Sequence, residues 1–96
     1  MSENHNPLTY ELIRKKYINE SDIQIFYYDD LFNKLLENNS YKNLIQIIHY
    51  IIPRIISNNF KDENGNIIDN KFEYFKSSIL NNLKKIDIKV EKLWDD

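Results

Sequence analysis

One glycine, Gly65, and two prolines, Pro7 and Pro53, are all that the 96-residue sequence has of either type. Tight turns draw on glycine for positive φ and on proline for a preset φ. A chain this poor in both is badly equipped for the many short strands of a sandwich or barrel. It suits a few long helices instead. The length matches one domain with one core, enough to fold without disulfides or a structural metal. Cysteine is absent, which excludes a disulfide scaffold, thiolate metal ligands and a cysteine nucleophile. Residues 1–7 carry no basic segment followed by an apolar one, and no apolar run approaches the ~20 residues that span a bilayer. A cytoplasmic protein without membrane contact is expected.

Apolar spacing predicts four helices. The first covers Leu8 to Tyr17, with Pro7 near its start, where a missing N–H costs little. The second begins near Ser21, whose spacing to Gln24 suits a capping box, and continues through Tyr28, Leu31, Phe32, Leu35 and Leu36 to a stop at Asn38-Asn39. The alternation Ile23, Ile25, Tyr27 also permits a short strand before it. The third runs from Tyr41 to Ser57 behind Ser40 as N-cap. Leu44, Ile48, Ile51, Ile52 and Ile55 form its apolar face, widened by Ile45 and Ile56, with Lys42, Gln46, His49, Pro53 and Ser57 opposite. Seventeen residues are too many for one strand, and Pro53 should kink or restart the helix. The fourth starts at Asn70, spaced to Glu73 as a capping box, and carries Phe72, Phe75, Ile79, Leu83 and Ile86 in one stripe. Between helices three and four, Asn64-Gly65 suits a type I′ turn, so residues 59–69 admit a short β-hairpin or a plain loop. Residues 1–6 read as a disordered start, and 87–96 as a charged tail.

The net charge of −2 hides a segregation. Residues 21–39 sum to −3, residues 40–61 to +3 without one acid, and residues 62–70 to −3. Nothing assembles a catalytic set, metal site or cofactor motif: His5 lies in the start, His49 has no acid in its stretch, and Gly65 makes no phosphate loop. Asp29-Asp30 and Asp95-Asp96 are adjacent pairs that diverge on a helix. No enzyme activity is expected.

Binding is what the residues offer. Lys42, Asn43, Gln46, His49 and Arg54 supply cations for phosphates and amides for base edges. They lie on a helix that follows a short turn and precedes a candidate ribbon, where Lys61, Asn64 and Asn66 would reach an adjacent backbone. Helix, turn, helix and ribbon are the parts of a winged helix-turn-helix. The alternative is the solvent face of a core helix.

The segment from Asn58 through Ile86, with KDENGNIIDNKFEYFKSSILNNLKK, resembles the C-terminal region of replication initiators from plasmids and phages of low-GC Gram-positive bacteria. The similarity lies in Asp62, Glu63, Asn64, Gly65 and Ile67 of the loop. It continues in Asn70, Lys71, Phe72, Tyr74, Phe75, Lys76, Ile79, Asn81 and Asn82. The opening NPLTYELIRKKY, Asn6 to Tyr17, is similar to the start of the same region. The resemblance implies DNA binding and assigns no catalytic residue; Phe72 and Phe75 read as core. The initiators' larger N-terminal DNA-binding domain has no counterpart in these residues, so origin recognition does not carry over. Small winged-helix accessory proteins of conjugative DNA transfer are a second likeness.

The expectation is therefore a mainly α, winged helix-turn-helix-like domain binding double-stranded DNA for a mobile element. A homodimer on repeated half-sites would double its contact area, with Ile88, Val90, Leu93 and Trp94 as the dimer contact. Other replication or relaxosome proteins are further candidate partners. The rival is a helical protein-interaction module such as a helicase-loading adaptor, an antitoxin or an immunity protein.

Overall fold

The computed structural model describes the backbone over residues 4–94 and the side chains over residues 4–85. Four helices are present there: α1 (Pro7–Arg14), α2 (Ile25–Leu35), α3 (Tyr41–Ser57) and α4 (Lys71–Trp94). The mainly helical expectation holds. No strand forms among the described residues, and none of their helices is long and apolar enough to cross a membrane.

Local chemistry sets the ends of each helix. Asn6 caps α1 by accepting from the Leu8 N–H at 2.9 Å, with Pro7 in the first turn. The helix stops at Arg14, earlier than Tyr17, because Lys16 turns to φ 65°. The Lys16 N–H then reaches the Ile13 carbonyl and the Tyr17 N–H the Leu12 carbonyl, both at 3.0 Å. This pairing is a Schellman close, built on lysine where glycine is usual. Asn59, at φ 56°, closes α3 in the same way, through Phe60 N–H to the Ile55 carbonyl at 3.0 Å.

The Ser21 capping box does not form, and neither does a strand before α2. Ser21 Oγ donates to Asn19 Oδ1 at 2.6 Å, and the Gln24 N–H goes to Asp22 Oδ1 at 2.8 Å. An Asx turn thus takes over residues 22–24, and α2 begins at Ile25. Ser40 does cap α3, its Oγ accepting from the Asn43 N–H at 3.1 Å, and Pro53 sits on the exposed side of one continuous helix. Asn70 Oδ1 caps α4 through the Glu73 N–H at 3.1 Å.

Residues 4–6 lie against α2. Asp29 on α2 holds them: Oδ2 lies 2.7 Å from His5 Nδ1, and Oδ1 accepts from the Asn6 N–H at 2.9 Å and from Thr9 Oγ1 at 2.6 Å. At the other end, the backbone expected to be a tail continues α4 to Trp94. The side chains of Ile88, Val90, Leu93 and Trp94, named as a dimer contact, lie outside the described residues.

The loop before α4 has no β-hairpin wing. A lone antiparallel bridge joins Lys61 and Ile67, and the turn it closes is not type I′. Asn64 keeps negative φ, while Gly65, at φ +81°, sends its N–H to the Asp62 carbonyl at 3.0 Å. Asp62 organises the loop, because its Oδ1 accepts from both the Asn64 and Asn66 N–H groups at 2.9 Å.

The helices pack in a ring, α1 on α2, α2 on α4, α4 on α3 and α3 on α1. Consecutive α2 and α3 are diagonal partners and make no close backbone approach, unlike the helices of a helix-turn-helix. Phe75, fully buried, is central, with its ring within 6.0 Å of those of Tyr17, Tyr28 and Phe32. Leu44, Ile48, Ile51, Ile52 and Ile55 of α3 are buried as expected, joined by Ile47. Tyr17 Oη donates to the Lys71 carbonyl at 2.8 Å and ties the end of α1 to the start of α4. Burial pushes the Tyr17 and Tyr28 phenols well above their ordinary pKa, so both are neutral side chains of the core.

Candidate nucleic-acid interface

The apolar stripe of α3 turns its remaining side chains outward. Lys42, Asn43, Gln46, His49 and Arg54 are all exposed, as are Lys61, Asn64 and Asn66 on the following loop. They do not make one surface. Successive helical residues rotate by about 100°, which puts Lys42, Gln46 and His49 on one ridge. Arg54 lies about 120° around the axis from Lys42 and ~18 Å further along it, on the side facing α4, as does Asn43 on that flank.

His49 is not isolated from acids. Its Nε2 lies 3.7 Å from Glu11 Oε1 on α1, and Glu11 also pairs with Arg14 at 3.0 Å. The acid-free stretch is a property of the sequence; packing brings the carboxylate in from a different helix. His49 therefore marks the α1 boundary of the surface rather than its centre. On the loop, the Asn64 and Asn66 N–H groups serve the Asp62 carboxylate, and Glu63 is exposed beside them. That tip offers phosphates little.

Lys61 belongs elsewhere, with Arg54. Between the C-terminal half of α3 and the middle of α4 lies an open groove of about 570 Å³, bordered by Arg54, Lys61 and Lys85. Among the described residues its one carboxylate is Glu63. The other polar groups facing it include the amides of Asn58, Asn81 and Asn82, so among the described residues three cations meet one acid in an uncharged polar lining. Arg54 is held in place by Tyr50: Nη1 donates to Tyr50 Oη at 3.1 Å, and the guanidinium carbon lies 5.0 Å from the ring centroid. Among the described residues, none of Lys42, Arg54, Lys61 and Lys85 forms an ion pair. Asp29 and Asp30 are on α2, diagonal to α3, so the acidic segment stands away from the basic one.

The groove also contains residues that the sequence reading passed over. Ser78, Asn81, Asn82 and Lys85 recur at helical spacing on α4. That polar stripe was visible beside the apolar one, but a polar stripe on a helix ordinarily marks solvent. What gives it meaning is its position against Arg54 and Lys61, which only the fold supplies. Fixed phosphate-sized anions are what such an arrangement attracts best, since several cations can neutralise one backbone without being neutralised by each other's partners.

The chain matches no known protein family, no curated protein and no solved structure.

Proposed function

We propose that the protein binds double-stranded DNA through its phosphate backbone, as a non-enzymatic accessory factor of a mobile element. Its role would lie in replication initiation or conjugative transfer, where the resemblance of the segment from Asn58 through Ile86 points. One observation carries the reading: Lys42, Arg54, Lys61 and Lys85 are without ion pairs among the described residues, on α3, the loop and α4, in a chain of net charge −2. Lys42, Asn43 and Gln46 would lie along the duplex, with Arg54 and Lys61 on the backbone beside it. The winged-helix form rests on the order of α2, turn, α3 and loop. With no strand in the loop and no packing of α2 along α3, a wingless dock of α3 and α4 fits better. A homodimer on repeated half-sites, joined through Ile88, Val90, Leu93 and Trp94, belongs to the same proposal.

A mobility shift with duplex from the gene's own neighbourhood tests it at two salt concentrations. Binding should weaken at the higher salt. The double substitution Lys42→Ala, Arg54→Ala should reduce affinity roughly tenfold with unchanged thermal stability, since both side chains are exposed. Affinity indifferent to salt, or unaltered in the variant, contradicts the proposal.

A second reading has its own observation. Ile23, Phe26 and Tyr27 are 94%, 53% and 55% exposed at the start of α2. Apolar side chains gathered in this way mark protein contacts more often than solvent faces. A helical interaction module would use them.

A further inference from the structure

The groove between α3 and α4 has features that duplex binding leaves unused. A duplex presents a broad surface whose own grooves admit protein elements, so a cavity in the protein is not its complement. The cavity here, about 570 Å³, falls within the ~300–1,000 Å³ range of sites for small ligands, the scale of single nucleotide units. Tyr50 is the second feature. It is 55% exposed on a helix whose isoleucines are buried or half-buried, and it borders the groove. Arg54 bonds to its hydroxyl and holds its guanidinium over one face of the ring, so a cation and an aromatic side chain stand together at the groove. Unpaired bases stack on such aromatic surfaces while their phosphates follow a positive groove.

We infer that this groove takes an unpaired nucleic-acid strand, with one base on Tyr50 and the flanking phosphates on Arg54, Lys61 and Lys85. The inference rests on the nucleic-acid reading above and adds a strand-specific subsite to it. Asn81 faces the same cavity and can hydrogen-bond a base edge; Asn58 and Asn82 already donate through their side-chain amides, to the Lys61 carbonyl at 3.3 Å and the Ser78 carbonyl at 2.8 Å. Glu63, a carboxylate at the rim, opposes the phosphates. It limits affinity, which suits a strand that must be released.

Fluorescence anisotropy with a labelled oligothymidylate of about 10 nucleotides, against a duplex of matching length, tests this on the full chain. The single strand should bind. Tyr50→Leu should weaken it about tenfold, with duplex affinity within about twofold of the unaltered chain, and Lys85→Ala should weaken single-strand binding likewise. Tyr50→Phe keeps the ring and should retain single-strand binding; Glu63→Gln should tighten it. Single-strand binding unchanged by Tyr50→Leu and Lys85→Ala overturns the subsite. So does duplex binding without single-strand binding, and that result leaves the duplex reading standing. Failure of both ligands removes both.

Discussion

Lys16 holds φ at 65° so that α1 can close on itself. A side chain in this left-handed region brings Cβ against the backbone, at a cost of about 1–2 kcal/mol that glycine avoids. Glycine loses more freedom on folding, which returns part of that gain. Lys16→Gly is therefore expected to stabilise the fold by about 0.5–1 kcal/mol, raising Tm by about 2–8 °C. Lys15, one residue earlier at φ −81°, is the control: Lys15→Gly should lower Tm. Thermal unfolding of the two variants reads both signs, and a Lys16→Gly protein no more stable than the parent contradicts the strain. What makes the strained residue tolerable is Tyr17 behind it, buried and hydrogen-bonded to the Lys71 carbonyl. Neither fact shows in the sequence, because glycine is the signal for such a close and lysine stands there.

At the scale of elements, legibility followed the chemistry that sets each end. The bounds of α3 could be read because Ser40 caps it with its own side chain and a regular isoleucine stripe fills it. Asn70 announced α4 for the same reason. The start of α2 could not be read, since Asp22 draws the Gln24 N–H into an Asx turn and α2 begins behind Gln24 without a side-chain cap. The Asn64-Gly65 pair misled in a similar way. Asp62 captures the Asn64 and Asn66 N–H groups and bends the segment into a carboxylate-centred turn. Asp62→Ala should cost about 1 kcal/mol of stability and speed hydrogen exchange at the Asn64 and Asn66 amides. Exchange at those amides equal to that of the parent would mean that the carboxylate does not hold the turn. The candidate interface was legible in half: Arg54 and Lys61 stood out by charge. Lys85 and Tyr50 did not, because their value depends on which helix faces which.

At the scale of the molecule, the ring of helices sorts charge that the chain only alternates. Placing α2 diagonal to α3 takes Asp29 and Asp30 away from the basic helix, and Asp29 is spent on clamping His5, Asn6 and Thr9. Packing α4 against α3 adds Lys85 to Arg54 and Lys61, while packing α1 against α3 sets Glu11 beside His49. A weakly acidic protein thus gains a surface able to meet a polyanion. The central claim is that these cations contact phosphates, and the slope of log affinity against log salt tests it most directly. Each phosphate contact contributes about 0.9 to that slope on duplex DNA. Removing Lys42 and Arg54 together should flatten the slope by about two units relative to the parent protein. A slope unchanged by their loss would contradict the account.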